Sequence, residues 1–155
     1  KTLEITGDIN HIPHHFLSNC SSLKEITIPS SVKIIESEAF CSNSKILFEI
    51  KGYMNHIPNY FFSNCSSLEK IIIPSSVASI GDMAFKYCSN LKQIIIPSSI
   101  SNIGNNIFLG CENLSNIIIN ECEEKRIKYI EDKFLVFKTD IKSETYDTLL
   151  FVKPA

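Results

Sequence analysis

Leu68-Glu69-Lys70-Ile71-Ile72-Ile73-Pro74-Ser75-Ser76-Val77 returns 23 residues later (91 − 68) as Leu91-Lys92-Gln93-Ile94-Ile95-Ile96-Pro97-Ser98-Ser99-Ile100. An earlier copy runs from Leu23 to Val32, with Ile26, Ile28 and Pro29-Ser30-Ser31 in the same places. A fixed period of this length marks a solenoid. Each unit is one coil that cannot bury its apolar face alone, so successive coils stack and share a core. Working outward, one isoleucine column runs Ile5, Ile28, Ile50, Ile73, Ile96, Ile119, in steps of 23, 22, 23, 23 and 23. A second column lies two residues earlier: Leu3, Ile26, Phe48, Ile71, Ile94, Ile117. A spacing of two puts both on one face of a strand, which predicts one short parallel strand per coil, neighbours about 4.8 Å apart.

Two further apolar columns follow in each coil, Ile9, Val32, Met54, Val77, Ile100 and Ile12, Ile35, Ile57, Ile80, Ile103. An aromatic column of Phe16, Phe40, Phe61, Phe85 and Phe108 comes next. Its uneven spacing suggests return segments of two lengths, with Pro13 and Pro58 opening the segment in the first and third coils. The Leu3–Ser22 stretch matches Phe48–Ser67 at an offset of 45, as a duplicated two-coil unit would. Asp82–Tyr87 reads as a single helical or 3₁₀ turn on the outer side.

Cys20, Cys65, Cys88 and Cys111 fall in one column, with Asn43 at the remaining place. They read as buried thiols whose S–H satisfies backbone carbonyls inside the turn, in preference to disulfides, because their Cβ atoms point the same way. Cys41 and Cys122 lie off this column, and their redox state is left open. His11, His14 and His15 could ligate zinc in principle. Without Cys-x-x-Cys spacing or a nearby carboxylate they read as a solvated turn, so no metal and no cofactor is expected. No nucleophile elbow, Gly-rich phosphate loop or His-Glu-x-x-His occurs, and the serines belong to turns. No catalytic constellation is expected. Asn19-Cys20-Ser21, Asn64-Cys65-Ser66 and Asn113-Leu114-Ser115 are glycosylation triplets that turn chemistry explains equally well.

The net charge of −2 over 155 residues gives no reason to expect nucleic acid as a partner, and no apolar run is long enough for membrane insertion. The chain starts almost directly in a repeat, as a piece of a longer protein would.

Between the two strand columns lies a third, expected to face solvent: Glu4, Thr27, Glu49, Ile72, Ile95, Ile118. Its last three members are isoleucine. An apolar stripe on an outward face asks for a partner, and Glu25, Lys70, Gln93 and Asn116 would form its polar rim. Thr27, Ile72, Ile95, Ile118, Glu25, Lys70, Gln93 and Asn116 are therefore the candidate partner-binding residues. The alternatives are that Ile and Thr simply suit strands, or that the C-terminal segment folds over the stripe.

The pattern Leu-x-x-Ile-x-Ile-Pro-Ser-Ser-Val-x-x-Ile-Gly-x-x-Ala-Phe-x-x-Cys-x-x-Leu, spelled from Leu68 to Leu91, resembles the BspA-like leucine-rich repeat. The resemblance spans residues 3–119, although the first and third coils lack Pro-Ser-Ser and the Ala-Phe pair. It implies a module of surface or secreted adhesins, non-enzymatic, binding host cell-surface or extracellular matrix proteins. An intracellular structural scaffold in the cytoplasm is the alternative. The expected fold is an α/β-type repeat solenoid. It has about six right-handed coils, a parallel sheet on one face and short helical, 3₁₀ or turn segments on the other. Residues 1–119 form the solenoid and 120–155 a C-terminal cap or inter-block β-hairpin. With no cap before Leu3, self-association through the N-terminal coil is a further expectation.

Overall fold

The computed structural model describes residues 2–20, 25–29, 31–41, 47–50, 54–119, 127–130, 134–137 and 148–152. Each coil supplies a longer strand and then a two-residue strand. In chain order these are β1 (Thr2–Glu4), β2 (His11–Ile12), β3 (Glu25–Ile28), β4 (Ile34–Ile35), β5 (Leu47–Ile50), β6 (His56–Ile57), β7 (Lys70–Ile72), β8 (Ser79–Ile80), β9 (Gln93–Ile96), β10 (Asn102–Ile103) and β11 (Asn116–Ile119). The longer strands form two parallel sheets, β1-β3-β5 and β11-β9-β7. Their registers pair Leu3 with Ile26 and Ile26 with Phe48, then Ile71 with Ile94 and Ile94 with Ile117. Ile28 sits opposite Ile50 and Ile96 opposite Ile119, as the columns require. The short strands pair on the other side of the coil, as β2-β4 and β10-β8-β6.

The molecule is thus a parallel-strand solenoid of leucine-rich repeat type. Two expectations change. The α/β assignment is not confirmed, because the described residues contain no helix, and none therefore that could cross a membrane. The count of six coils is not confirmed. Asp82–Tyr87 shows why no helix forms. Met83, Phe85 and Tyr87 donate their N–H groups to the next coil, at Asn105 O (2.9 Å), Ile107 O (3.0 Å) and Leu109 O (2.7 Å). A helix would need those donors for its own carbonyls. Met83 and Tyr87 also take left-handed conformations, φ 53° and 57°. His15, Glu38, Tyr60 and Asn106 share the Met83 position and its positive φ, so the turn is a property of every coil.

The core lies between the two sets of strands. Ile26, Ile28, Ile71, Ile73, Ile94 and Ile96 are buried from one side and Ile12, Ile57, Ile80 and Ile103 from the other. Each contributes roughly 1.5–3 kcal/mol by leaving water. The aromatic column is corrected by one residue. Phe62 stacks on Phe85 (centroids 6.0 Å, 17°) and Phe85 on Phe108 (5.9 Å, 22°), while Phe40 faces Phe62 at 6.4 Å. The ladder is therefore Phe40, Phe62, Phe85, Phe108. Leu17 takes this place in the first coil and packs against the core, leaving Phe16 at 44% exposed. Phe61 stands where Ala39 and Ala84 stand in their coils. No second segment length is needed.

Side chains fasten each coil to the one before it. Cys65 Sγ donates to Phe40 O (3.3 Å), Cys88 Sγ to Phe62 O (3.1 Å) and Cys111 Sγ to Phe85 O (3.0 Å). Cys20, Cys41, Cys65, Cys88 and Cys111 form no disulfide. Asn43 and Cys122 lie outside the described residues. Ser76 Oγ donates to Met54 O (2.8 Å) and Ser99 Oγ to Val77 O (2.6 Å), which gives the second serine of Pro-Ser-Ser its purpose. Ser99→Ala is expected to lower stability by about 1 kcal/mol through the orphaned Val77 carbonyl, as read from the urea midpoint. The junction of the first and second coils is looser. Ile9 is 38% exposed, and Ser31 Oγ, placed like Ser76, is buried with no partner among the described residues.

The last three strands, β12 (Ile127–Ile130), β13 (Phe134–Phe137) and β14 (Thr148–Val152), form an antiparallel meander with a register shift between Leu135 and Val136. It is one strand longer than a hairpin.

Candidate functional site

The outward column of the sheet formed by β7, β9 and β11 is built by strand alternation. Ile71, Ile94 and Ile117 point inward and are buried, so Ile72, Ile95 and Ile118 between them point out. The registers set Ile72 beside Ile95 and Ile95 beside Ile118. Ile72 is 61% exposed and Ile118 38%, with Ile95 half-buried between its neighbours. One step back along each strand-facing column, Lys70, Gln93 and Asn116 also stand side by side, Lys70 and Asn116 exposed and Gln93 half-buried. Lys92 Nζ reaches Glu69 Oε2 at 3.2 Å along the same edge, an exposed pair of small energetic weight. Thr27 is half-buried and lies with Glu25 on β3, in the other sheet, where it pairs with Glu4 and Glu49. The eight expected residues therefore fall into two groups: six on the isoleucine-bearing sheet and two on the polar one.

A second cluster sits on the outer turns of the first two coils. His11 Nε2 lies 2.9 Å from Glu36 Oε1, and the His14 N–H donates to Glu36 Oε2 at 2.7 Å. The His14 amide, followed by the His11 ring, holds the Glu36 carboxyl below its ordinary pKa. His15 Nε2 is 3.4 Å from Glu38 Oε2, and His15 Nδ1 is 3.7 Å from Cys41 Sγ. Beside these, His14, Glu36, His56, Pro58 and Asn59 line a shallow open groove of about 350 Å³. His56 Nδ1 lies 2.7 Å from Ser79 Oγ, and burial pushes its imidazole below the usual pKa. The sequence reading found the histidines and missed both carboxylates. The signal was available, since Glu38 lies one coil of 23 residues beyond His15.

Asn59, Asp82 and Asn105 form a third ladder. Asn59 Oδ1 accepts the Asp82 N–H (2.8 Å) and Asp82 Oδ1 the Asn105 N–H (2.7 Å). These groups hold backbone and are not arranged for chemistry.

Stacked parallel strands, inward isoleucine columns and carbonyl-capping thiols define a leucine-rich repeat solenoid. More narrowly, the chain belongs to the BspA type leucine rich repeat family, whose region matches in six copies over residues 1–65 and 55–148. A leucine rich cell surface protein of Faecalibacterium prausnitzii is similar in structure, at 29% identity and a TM-score of 0.74, covering 79% of this chain and 32% of that one. The pneumococcal vaccine antigen PcpA shares the fold at 21% identity and a TM-score of 0.64, over 89% of this chain and 44% of its own. A leucine-rich repeat protein of Bacteroides ovatus does so at 22% and 0.56, over 76% and 36%. The chain thus spans less than half the length of these proteins. No curated protein matches.

Proposed function

We propose that this chain is a non-enzymatic protein-binding module of a surface or secreted protein, and that it binds a host cell-surface or matrix protein through its exposed sheet face. The carrying observation is the in-register row Ile72, Ile95, Ile118, with Ile72 at 61% exposed on an otherwise regular strand. Strand propensity accounts for isoleucine at one outward position. Three in adjacent coils make a continuous apolar strip, with Lys70, Gln93 and Asn116 as its polar margin. Thr27 and Glu25 extend the surface toward the first coils. The surface location rests on the family and on the Faecalibacterium cell surface protein that the chain resembles. Residues 1–119 serve as the binding solenoid and 120–155 as its cap or as a spacer between repeat blocks.

Ile72→Asp and Ile95→Asp place a charge on the face without touching the core. Each is expected to weaken binding to immobilised matrix protein by tenfold or more, with an unchanged circular dichroism spectrum. Equal binding by parent and variants removes the stripe from the reading. In this reading β1 also leaves one strand edge without a partner among the described residues, and self-association through the first coil would show as a concentration-dependent mass in sedimentation.

A further inference from the structure

We propose that His14, His15 and Glu38 form a zinc site that clamps the first coil to the second, on the turn side and away from the sheet face. Each residue offers a ligand atom, and the three atoms lie within 4.8 Å of one another. The coil geometry produces this. His15 and Glu38 occupy the same left-handed turn position in consecutive coils, φ 57° and 59°, so their side chains emerge one above the other. His15 Nε2 and Glu38 Oε2 stand 3.4 Å apart. Two ligands at about 2.1 Å from zinc in a tetrahedron are separated by about 3.4 Å, whereas octahedral neighbours at that bond length would be about 3.0 Å apart. The third donor comes from His14, whose ring centroid is 4.0 Å from that of His15. His14 and His15 are exposed and Glu38 half-buried, so small side-chain rotations close the remaining distance.

The surroundings suit a ligand set. A metal-bound imidazole usually gives its other ring N–H to an acceptor that fixes its orientation. Cys41 Sγ, 3.7 Å from His15 Nδ1, occupies that place. The His14 N–H is anchored by Glu36 Oε2, which fixes the start of the turn carrying both histidines. His11 is turned away to Glu36 Oε1 and is not a ligand. Two imidazoles and one carboxylate favour zinc over calcium or magnesium, whose ligands are oxygen. The fourth position stays open for water or a donor from another molecule.

The test is calorimetric titration of zinc into chelator-stripped protein under reducing conditions. One zinc per chain is expected, with a rise in the melting midpoint on binding. His15→Ala and Glu38→Gln are each expected to weaken binding about tenfold or more with an unchanged circular dichroism spectrum, and His11→Ala to bind as the parent does. Cobalt in place of zinc is expected to give visible d–d bands with no thiolate charge-transfer band, and Cys41→Ser to retain them. Binding that persists in the His15→Ala/Glu38→Gln double variant overturns the site. So does a thiolate charge-transfer band, or the absence of binding by the folded parent.

Discussion

Replacing Phe85 with alanine is expected to remove about 3–5 kcal/mol of unfolding free energy, most of the margin of a marginally stable domain. Phe85 is fully buried and is the middle ring of the stack from Phe62 to Phe108. The void left by its ring would be lined on two sides by aromatic faces held 6.0 and 5.9 Å from its centroid. Those rings belong to neighbouring coils whose spacing is fixed by the strand registers, so the cavity cannot collapse. Its carbonyl also receives the Cys111 thiol, and loss of packing there loosens the next turn. In a solenoid the interfaces between adjacent coils add to the stability of each coil. Guanidinium unfolding followed by circular dichroism measures the effect. Phe85→Leu, which retains much of the volume, should lose clearly less. A loss below about 1 kcal/mol for alanine would show that the stack does not fill the core as described.

Gly104→Ala should be costly for so small a change, at about 1–3 kcal/mol. A Cβ at Gly104 would lie 2.5 Å from Asp82 N and 2.6 Å from Gly81 C, both backbone atoms of the coil below. Gly81 repeats the arrangement one coil earlier, 2.6 Å from Asn59 N and 2.8 Å from Pro58 C. Neither glycine has a positive φ, so the penalty is close approach and not backbone conformation. The neighbouring backbone is held by Asp82 Oδ1 on Asn105 N, which leaves little room to yield. Because the two glycines stack on each other, the double variant should depart from additivity. Thermal melts of the single and double variants check this, and a Gly104→Ala protein that melts with its parent would contradict the packing.

The strand columns were legible because a period of two within a period of about 23 leaves few alternatives. The inward burial of Ile26, Ile71 and Ile94 and the carbonyl-bound thiols follow the reading taken from spacing. The aromatic column slipped by one in two coils, since Phe61-Phe62 and Phe16-Leu17 each offer two apolar residues and only the ring stack selects the second of each pair. Asp82–Tyr87 suggested a helical turn because Ala84, Phe85 and Lys86 carry no breaker. Local preference lost to hydrogen bonds donated to a coil more than 20 residues away. Pro13, Glu36 and Pro58 hold the position of Gly81 and Gly104, so the periodicity assigned those glycines to a turn when close approach is what requires them. The isoleucine face was visible as a pattern. The pairing of His15 with Glu38 was not, because the acid arrives from the coil above, 23 residues further along the chain.

The thiol ladder bears on how the protein meets oxidants. Cys65, Cys88 and Cys111 are at most 4% exposed, and each already gives its proton to a carbonyl. Burial opposes the charged thiolate at both Cys88 and Cys111, while the contact between the two raises Cys88 and lowers Cys111. Thiolate is the form that peroxide and alkylating reagents attack, and burial in the folded coil keeps those reagents from the sulfur. Reagent uptake at these positions would then report uncoiling of the chain.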